Sequence, residues 1–207
     1  TLQGNDRVAG RLTEIVAIIP KDQYRYGITL WVDQETGLVL RSEMVGSDGS
    51  VIEQMMFTDI RLLAEKEAAL LLNETPDGDF NTRLEKKKGF ESLQDAEPQQ
   101  TTWQVTRLPA GFTLTKRSVN SATESHSVYE QMVFTDGLAS VSVFVEARST
   151  EDAPFRGNSR IGAMNAFGNV VNDFQVIVVG DVPAATVELM GQSMQYLGVQ
   201  SETPSVK

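Results

Sequence analysis

His126 is the only imidazole in a chain of 207 residues, and it sits among hydroxyl groups in NSATESHSV. Serine, histidine and a nearby carboxylate are the ingredients of a nucleophilic triad, so any hydrolytic chemistry would have to start here. A Ser/Thr-rich turn accounts equally well for an exposed loop histidine, and no second feature singles out a nucleophile. Cysteine is absent, which removes disulfides, thiol catalysis and thiolate metal sites. One histidine also rules out a His-rich metal centre. The carboxylate pair Glu151-Asp152 stands among loop residues, and the glycine spacing matches no phosphate-cradling loop. These residues predict no catalytic group, no metal and no cofactor, so an enzyme is not expected.

Charge narrows the partners. The net charge is −10, which argues against nucleic acid, because phosphate binding needs concentrated Lys and Arg. The basic run Lys86-Lys87-Lys88 lies in a polar stretch and reads as a solvated linker. No stretch approaches the roughly 20 apolar residues of a membrane-spanning helix. No leader is visible before the strand-like sequence that follows Thr1, so a mature, trimmed or fragmentary chain is expected.

Strands are the elements that must position any site. VAGRLTEIVAII, Val8 to Ile19, is β-branched and stops at Pro20, which predicts one long strand. A three-strand meander is expected next. In its first strand Tyr24, Tyr26, Ile28, Leu30 and Val32 share a face by period two, and DQETG and GSDGS supply the turns. RLLAEKEAALLL, Arg61 to Leu72, turns to helix formers. From Asn73 to about Gln100 polar residues, Gly and Pro dominate, and this is the best boundary in the chain. Beyond it, Tyr129–Phe134 and Leu138–Ala147 form a hairpin with Val141, Val143 and Val145 on one face. Trp103 reads as a core anchor beside Leu108. Asn172–Val179 is a further strand, and Glu151–Arg160 is expected as loop. A helix follows, with Asp181 as its cap, Pro183 in the first turn, Ala184, Val187, Met190, Met194 and Leu197 as its stripe, and Gly198 at its end. One echo crosses the boundary: SVIEQMMFTD from Ser50 and SVYEQMVFTD from Ser127 agree at eight of ten positions. Their surroundings differ, so the echo reads as two strands in different domains and not as a duplicated site.

These residues resemble the RseB/MucB family, regulators of envelope-stress sigma-factor signalling. The resemblance is carried by AGRLTEIVAIIPKDQYRYGITLWVDQETGLVLRSEM, RLPAGF, FTDGLASVSVFVEA and VIVVGDVPAATVELM. It implies an α+β fold, mainly antiparallel β: a partial lipoprotein-carrier-like half-barrel followed by a smaller sheet-plus-helix domain. The expected division is 1–72 for the later part of the half-barrel, 73–100 linker, 101–200 C-terminal domain and 201–207 tail. A full member is expected to carry further strands before Thr1. The resemblance also implies a periplasmic location and binding of the periplasmic part of a membrane anti-sigma factor, which is thereby shielded from proteolysis. Lipid or lipopolysaccharide-type ligands are implied to release that grip, and exposed sheet edges would permit a homo-oligomer.

For an acyl ligand, the candidate residues are Tyr24, Tyr26, Ile28, Leu30, Leu38, Leu40, Met44, Met55 and Phe57, an apolar set that would serve equally as core against a helix. For the partner, the candidates are Phe155, Arg156, Arg160 and Phe167, which place aromatic and Arg groups in a loop-like segment of an acidic chain. A flexible loop with a few apolar anchors explains the same residues.

Overall fold

The computed structural model describes residues 1–63, 103–121, 128–148 and 153–198. These residues form mainly antiparallel β-structure with one α-helix. The expected helix at 61–72 lies largely outside the described residues, as do His126, Lys86-Lys87-Lys88 and Glu151-Asp152. No described helix is long and apolar enough to cross a membrane.

The first sheet is a meander of β1 (Leu2–Val8), β2 (Arg11–Ile18), β3 (Gly27–Asp33), β4 (Val39–Val45) and β5 (Val51–Met56), in that spatial order. The expected strand from Val8 to Ile19 is therefore corrected to a hairpin. Ala9 and Gly10, with φ of 49° and 76°, make a tight turn that reverses the chain, and this two-residue geometry matches the twist of the flanking strands. The β3–β4 turn is held by Asp33, whose Oδ1 accepts hydrogen bonds from the Glu35 and Thr36 amides and the Thr36 hydroxyl. Arg11 of β2 donates to both oxygens of the same carboxylate, at 2.5 and 3.0 Å. Arg11 and the local turn bonds hold the Asp33 carboxyl well below the usual range, against the opposing effect of burial.

A second sheet has the order β10-β11-β12-β9-β8-β7. Its members are β7 (Thr113–Ser121), β8 (Val128–Thr135), β9 (Ser140–Ala147), β10 (Gly157–Ile161), β11 (Met164–Val171) and β12 (Phe174–Gly180). Helix α1 (Ala184–Gln192) packs on β11 and β12. The last described strand, β13 (Met194–Tyr196), pairs with β6 (Trp103–Val105).

Alternation puts Val141, Val143 and Val145 on the buried face of β9, where they meet Val176 and Val178 of β12 and Val187 and Met190 of α1. Gly191 lets that helix approach closely: a Cβ there would lie 2.4 Å from the Phe167 ring. Trp103 is buried as expected, but its ring neighbours are Phe174 and Tyr196, at centroid distances of 5.2 and 5.0 Å. Among the described residues, the core of the first sheet is far smaller, built on Val8, Trp31 and Leu40 with Ile15 and Ile60 against them.

Two expectations for the second half are corrected. The loop expected through Arg160 contains β10, an edge strand whose residues Asn158, Ser159, Arg160 and Ile161 are all exposed and so show no alternation. The helix stops at Gln192, and its N-cap position, Pro183, has no side-chain cap, so Asp181 does not cap it. Met194 still reaches the core, but from β13, where it pairs with Val105 of β6. Leu197 is exposed.

Candidate functional site

The side chains with the most unusual surroundings lie where the two sheets meet. The loop between β2 and β3, Ile19–Tyr26, carries Tyr24, Arg25 and Tyr26 onto the second half of the chain. Arg25 donates from Nε to Asp136 Oδ2 and from Nη1 to Asp22 Oδ2, both at 2.5 Å. Its Nη2 donates to the Ala110 carbonyl, and the guanidinium lies 5.1 Å from the centre of the Phe112 ring. Both partners of the Arg25–Asp136 pair are well covered, with side chains 19% and 7% exposed.

The Asp136 carboxylate is fixed from its own turn as well. Its Oδ1 accepts from the Leu138 and Ala139 amides at 3.0 and 2.9 Å. Burial pushes its pKa up, but these two amides and Arg25 outweigh that and hold it below the ordinary carboxylate range. Burial likewise opposes the charge on Arg25, and Asp136 and Asp22 overcome it, so the guanidinium stays firmly protonated.

Two neutral hydrogen bonds complete the joint. Asn165 Nδ2 donates to the Tyr26 hydroxyl and to the Val182 carbonyl, both at 2.8 Å. The hydroxyl of fully buried Thr186, in α1, donates to the Tyr24 carbonyl at 2.7 Å.

Beside this joint is a cavity of about 300 Å³. One wall comes from the first half: Ile18, Pro20, Tyr26, Ile28 and Met44. The other is the β8–β9 turn, Leu138, Ala139 and Ser140, with Arg25, Asp136 and Asp181 as its charged lining. A second cavity of about 160 Å³ shares Ile28 and Met44 and continues along the first sheet past Ser42 to Glu53 and Met55. Register explains the shared wall. Ile18, Ile28 and Met44 are paired neighbours across β2, β3 and β4, so their side chains stand on one face.

The acyl candidates therefore divide. Tyr26, Ile28, Met44 and Met55 line the cavities, and Leu30 stands half-buried on the same face. Tyr24 belongs to the joint. Leu38 and Phe57 are exposed and line neither cavity, and Leu40 is fully buried in the small core with Trp31. The partner candidates are not brought together. Phe155 is held across Gly168, where a Cβ would lie 2.4 Å from its ring, and Phe167 is buried under Gly191. Arg156 and Arg160 are exposed, and Arg160 donates to the Gly162 carbonyl. The Arg160 charge also contributes, after the bonds from Ser50, to lowering the Asp48 carboxyl in the β4–β5 turn.

Arg25, Asp136 and the turn Leu138-Ala139 are absent from both candidate sets. Asp136 reads in sequence only as a turn residue, and period two carries the eye from Tyr24 to Tyr26 past Arg25. The signal available was an Arg between two tyrosines, just after the strand-ending Pro20. Among the described residues, no three His, Asp or Glu side chains are grouped so as to hold a metal ion.

Comparison with known proteins agrees with this architecture. The family model for the MucB/RseB N-terminal domain matches residues 1–82, and that for the MucB/RseB C-terminal domain matches residues 97–195. The chain belongs to the MucB/RseB family. Among MucB/RseB relatives, the Sigma-E factor regulatory protein RseB of Haemophilus influenzae is 25% identical over 193 residues, covering 93% of this chain and 58% of that protein. The Sigma factor AlgU regulatory protein MucB of Pseudomonas aeruginosa is 29% identical over 213 residues, covering 94% and 59%. The chain thus spans a little under three fifths of the curated relatives it matches. A crystal structure of MucB in complex with MucA(peri) superposes with a TM-score of 0.70 at 28% identity, covering 95% of this chain and 66% of that one. MucB crystallised alone gives 0.57 at 29% identity, covering 94% and 62%.

Proposed function

We propose that this chain is part of a periplasmic negative regulator of envelope-stress sigma-factor signalling. It holds the periplasmic segment of a membrane anti-sigma factor and protects it from regulated proteolysis, and a lipid or lipopolysaccharide-type ligand releases the grip. The observation that carries the reading is the likeness, running through both halves, to MucB bound to MucA(peri). The joint supports it, because a protein that grips a segment between two sheets needs their orientation fixed, and Arg25 fixes it with a covered ion pair. In this reading 1–72 is the later part of the lipid-binding half-barrel, 73–100 the linker and 101–200 the anti-sigma-binding domain. Ile28, Leu30, Met44 and Met55 offer the apolar face for an acyl chain, and the exposed groups Arg156 and Arg160 offer contacts to the partner.

The test is a proteolysis assay on the anti-sigma periplasmic segment with the protease that starts its regulated cleavage. Added protein should slow cleavage, and a lipopolysaccharide-type ligand should restore it. Cleavage at an unchanged rate would sink the regulator reading. A lipid or lipoprotein carrier without a protective role is the alternative, favoured by the apolar cavity. It predicts retention of a fluorescent acyl probe with no effect on cleavage.

A further inference from the structure

The two cavities share the Ile28–Met44 wall and so lie side by side along one sheet face, a trough running from the joint toward the edge strand β5. Its floor is aliphatic, but its charge is one-sided. Asp136, Asp181, Glu43 and Glu53 line it, Glu43 already paired with Arg41, and Arg25 is the one cation among its described lining residues. That guanidinium is already held by Asp136, Asp22 and the Ala110 carbonyl, so it has no free fork to offer a phosphate or carboxylate. Asp181 at the joint end and Glu53 at the sheet end are exposed. Among the described residues, the side-chain carboxylate of neither has a hydrogen-bond or ion-pair partner. An anionic head group would meet like charge at both ends, within a chain of net charge −10. Like-charge juxtaposition of this kind selects against a partner, while opposite charge steers one in.

From this we infer that the trough seats a basic, aliphatic peptide segment. Its apolar side chains lie between the Ile28–Met44 wall and Leu138-Ala139, and its Lys or Arg groups lie over Asp181 and Glu53. The inference rests on the partner-holding reading above and specifies the chemistry of the held segment.

The test uses the full chain and two fluorescein-labelled peptides, one alternating Leu and Lys and one alternating Leu and Glu, read by fluorescence anisotropy. The Leu/Lys peptide should bind and the Leu/Glu peptide should not. Asp181→Lys with Glu53→Lys should weaken the Leu/Lys peptide about tenfold. The control pair Asp59→Lys with Glu188→Lys changes net charge equally outside the trough and should leave affinity within about twofold. Leu138→Ser, at a position 64% exposed, should weaken binding without altering salt dependence. Equal loss in the trough and control pairs would mean attraction by net charge alone and would overturn the inference. So would binding of the Leu/Glu peptide, or a fluorescent fatty acid proving the only probe sensitive to the trough variants. An anti-sigma segment that binds unaffected by those variants would overturn this inference and leave the regulator reading standing. No binding of that segment, alongside trough-dependent binding of the Leu/Lys peptide, would do the reverse.

Discussion

Arg25 and Asp136 stand 111 positions apart in the chain and meet at 2.5 Å, with most of both side chains covered from water. Each is also tied locally, Arg25 to Asp22 three residues away and Asp136 to the amides of its own turn. The pair therefore joins two pre-ordered loops, so little side-chain entropy remains to be lost when they dock.

Removing one member leaves the other covered and unpaired, which costs more than the pair itself contributes. Arg25→Ala is expected to destabilise the chain by about 2–4 kcal/mol, below the loss from a fully buried pair because Arg25 keeps some exposure. The fluorescence of Trp31 and Trp103, one in each half, should then stop changing together in a denaturant titration. Coincident transitions in the variant would show that the pair does not couple the halves.

Acid should weaken the same joint. The Asp136 pKa is lowered in the folded state, so its contribution is fully present above the unfolded value of about 3.9 and is lost as pH falls through the folded value. Asp33 follows the same sign through Arg11. The urea-midpoint difference between wild type and Asp136→Asn should thus be constant from pH 7 to about 5 and shrink below about 4. A difference that grows on acidification contradicts the assignment.

Gly191→Ala reverses an ordinary rule. Alanine stabilises a helix interior by up to about 1 kcal/mol over glycine. Here the added methyl would fall 2.4 Å from the Phe167 ring, and overpacking of that kind costs about 1–3 kcal/mol. A melting temperature that rises in this variant would show that α1 has room to move off the sheet.

The echoed strands give a matched pair of substitutions. In β8, Met132 and Phe134 are 0% and 4% exposed, whereas their counterparts Met55 and Phe57 in the first half are 57% and 45% exposed. Met132→Ala is expected to cost about 2–5 kcal/mol. Met55→Ala should stay within about 0.5 kcal/mol. Chemical denaturation of both variants separates them, and equal losses would contradict the placement of β5 at the sheet edge.

That contrast also explains how far the sequence could be read. Alternation named the buried face of β9 correctly, because Val141, Val143 and Val145 are paired on both sides and alternate cleanly. Turn chemistry placed DQETG, GSDGS and the Asp136-Gly137 reversal. What could not be read was whether SVxEQMxFTD sits centrally or at an edge, since burial of a strand depends on neighbours far away in the chain. For the same reason β10 was hidden: an exposed edge strand has no apolar period to display. The α1–β13 boundary escaped because Met194 satisfies a helical stripe and a strand equally well. The joint was least legible of all. Tyr24 and Tyr26 fit period two, and only the folded chain shows that Arg25 between them has its partner on the other sheet.

Among the described residues, four hydrogen bonds cross from one sheet's half to the other, and two of them end on main-chain oxygens, those of Tyr24 and Ala110. A carbonyl acceptor survives any change of side chain at its own position. The docking of the two halves therefore constrains identity mainly at the donors, Arg25, Asn165 and Thr186, with Asp136 and the Tyr26 hydroxyl as the acceptors that must be kept. Positions 24 and 110 are free to drift, so homologous chains can preserve one mutual orientation of their halves while sharing little sequence along the seam.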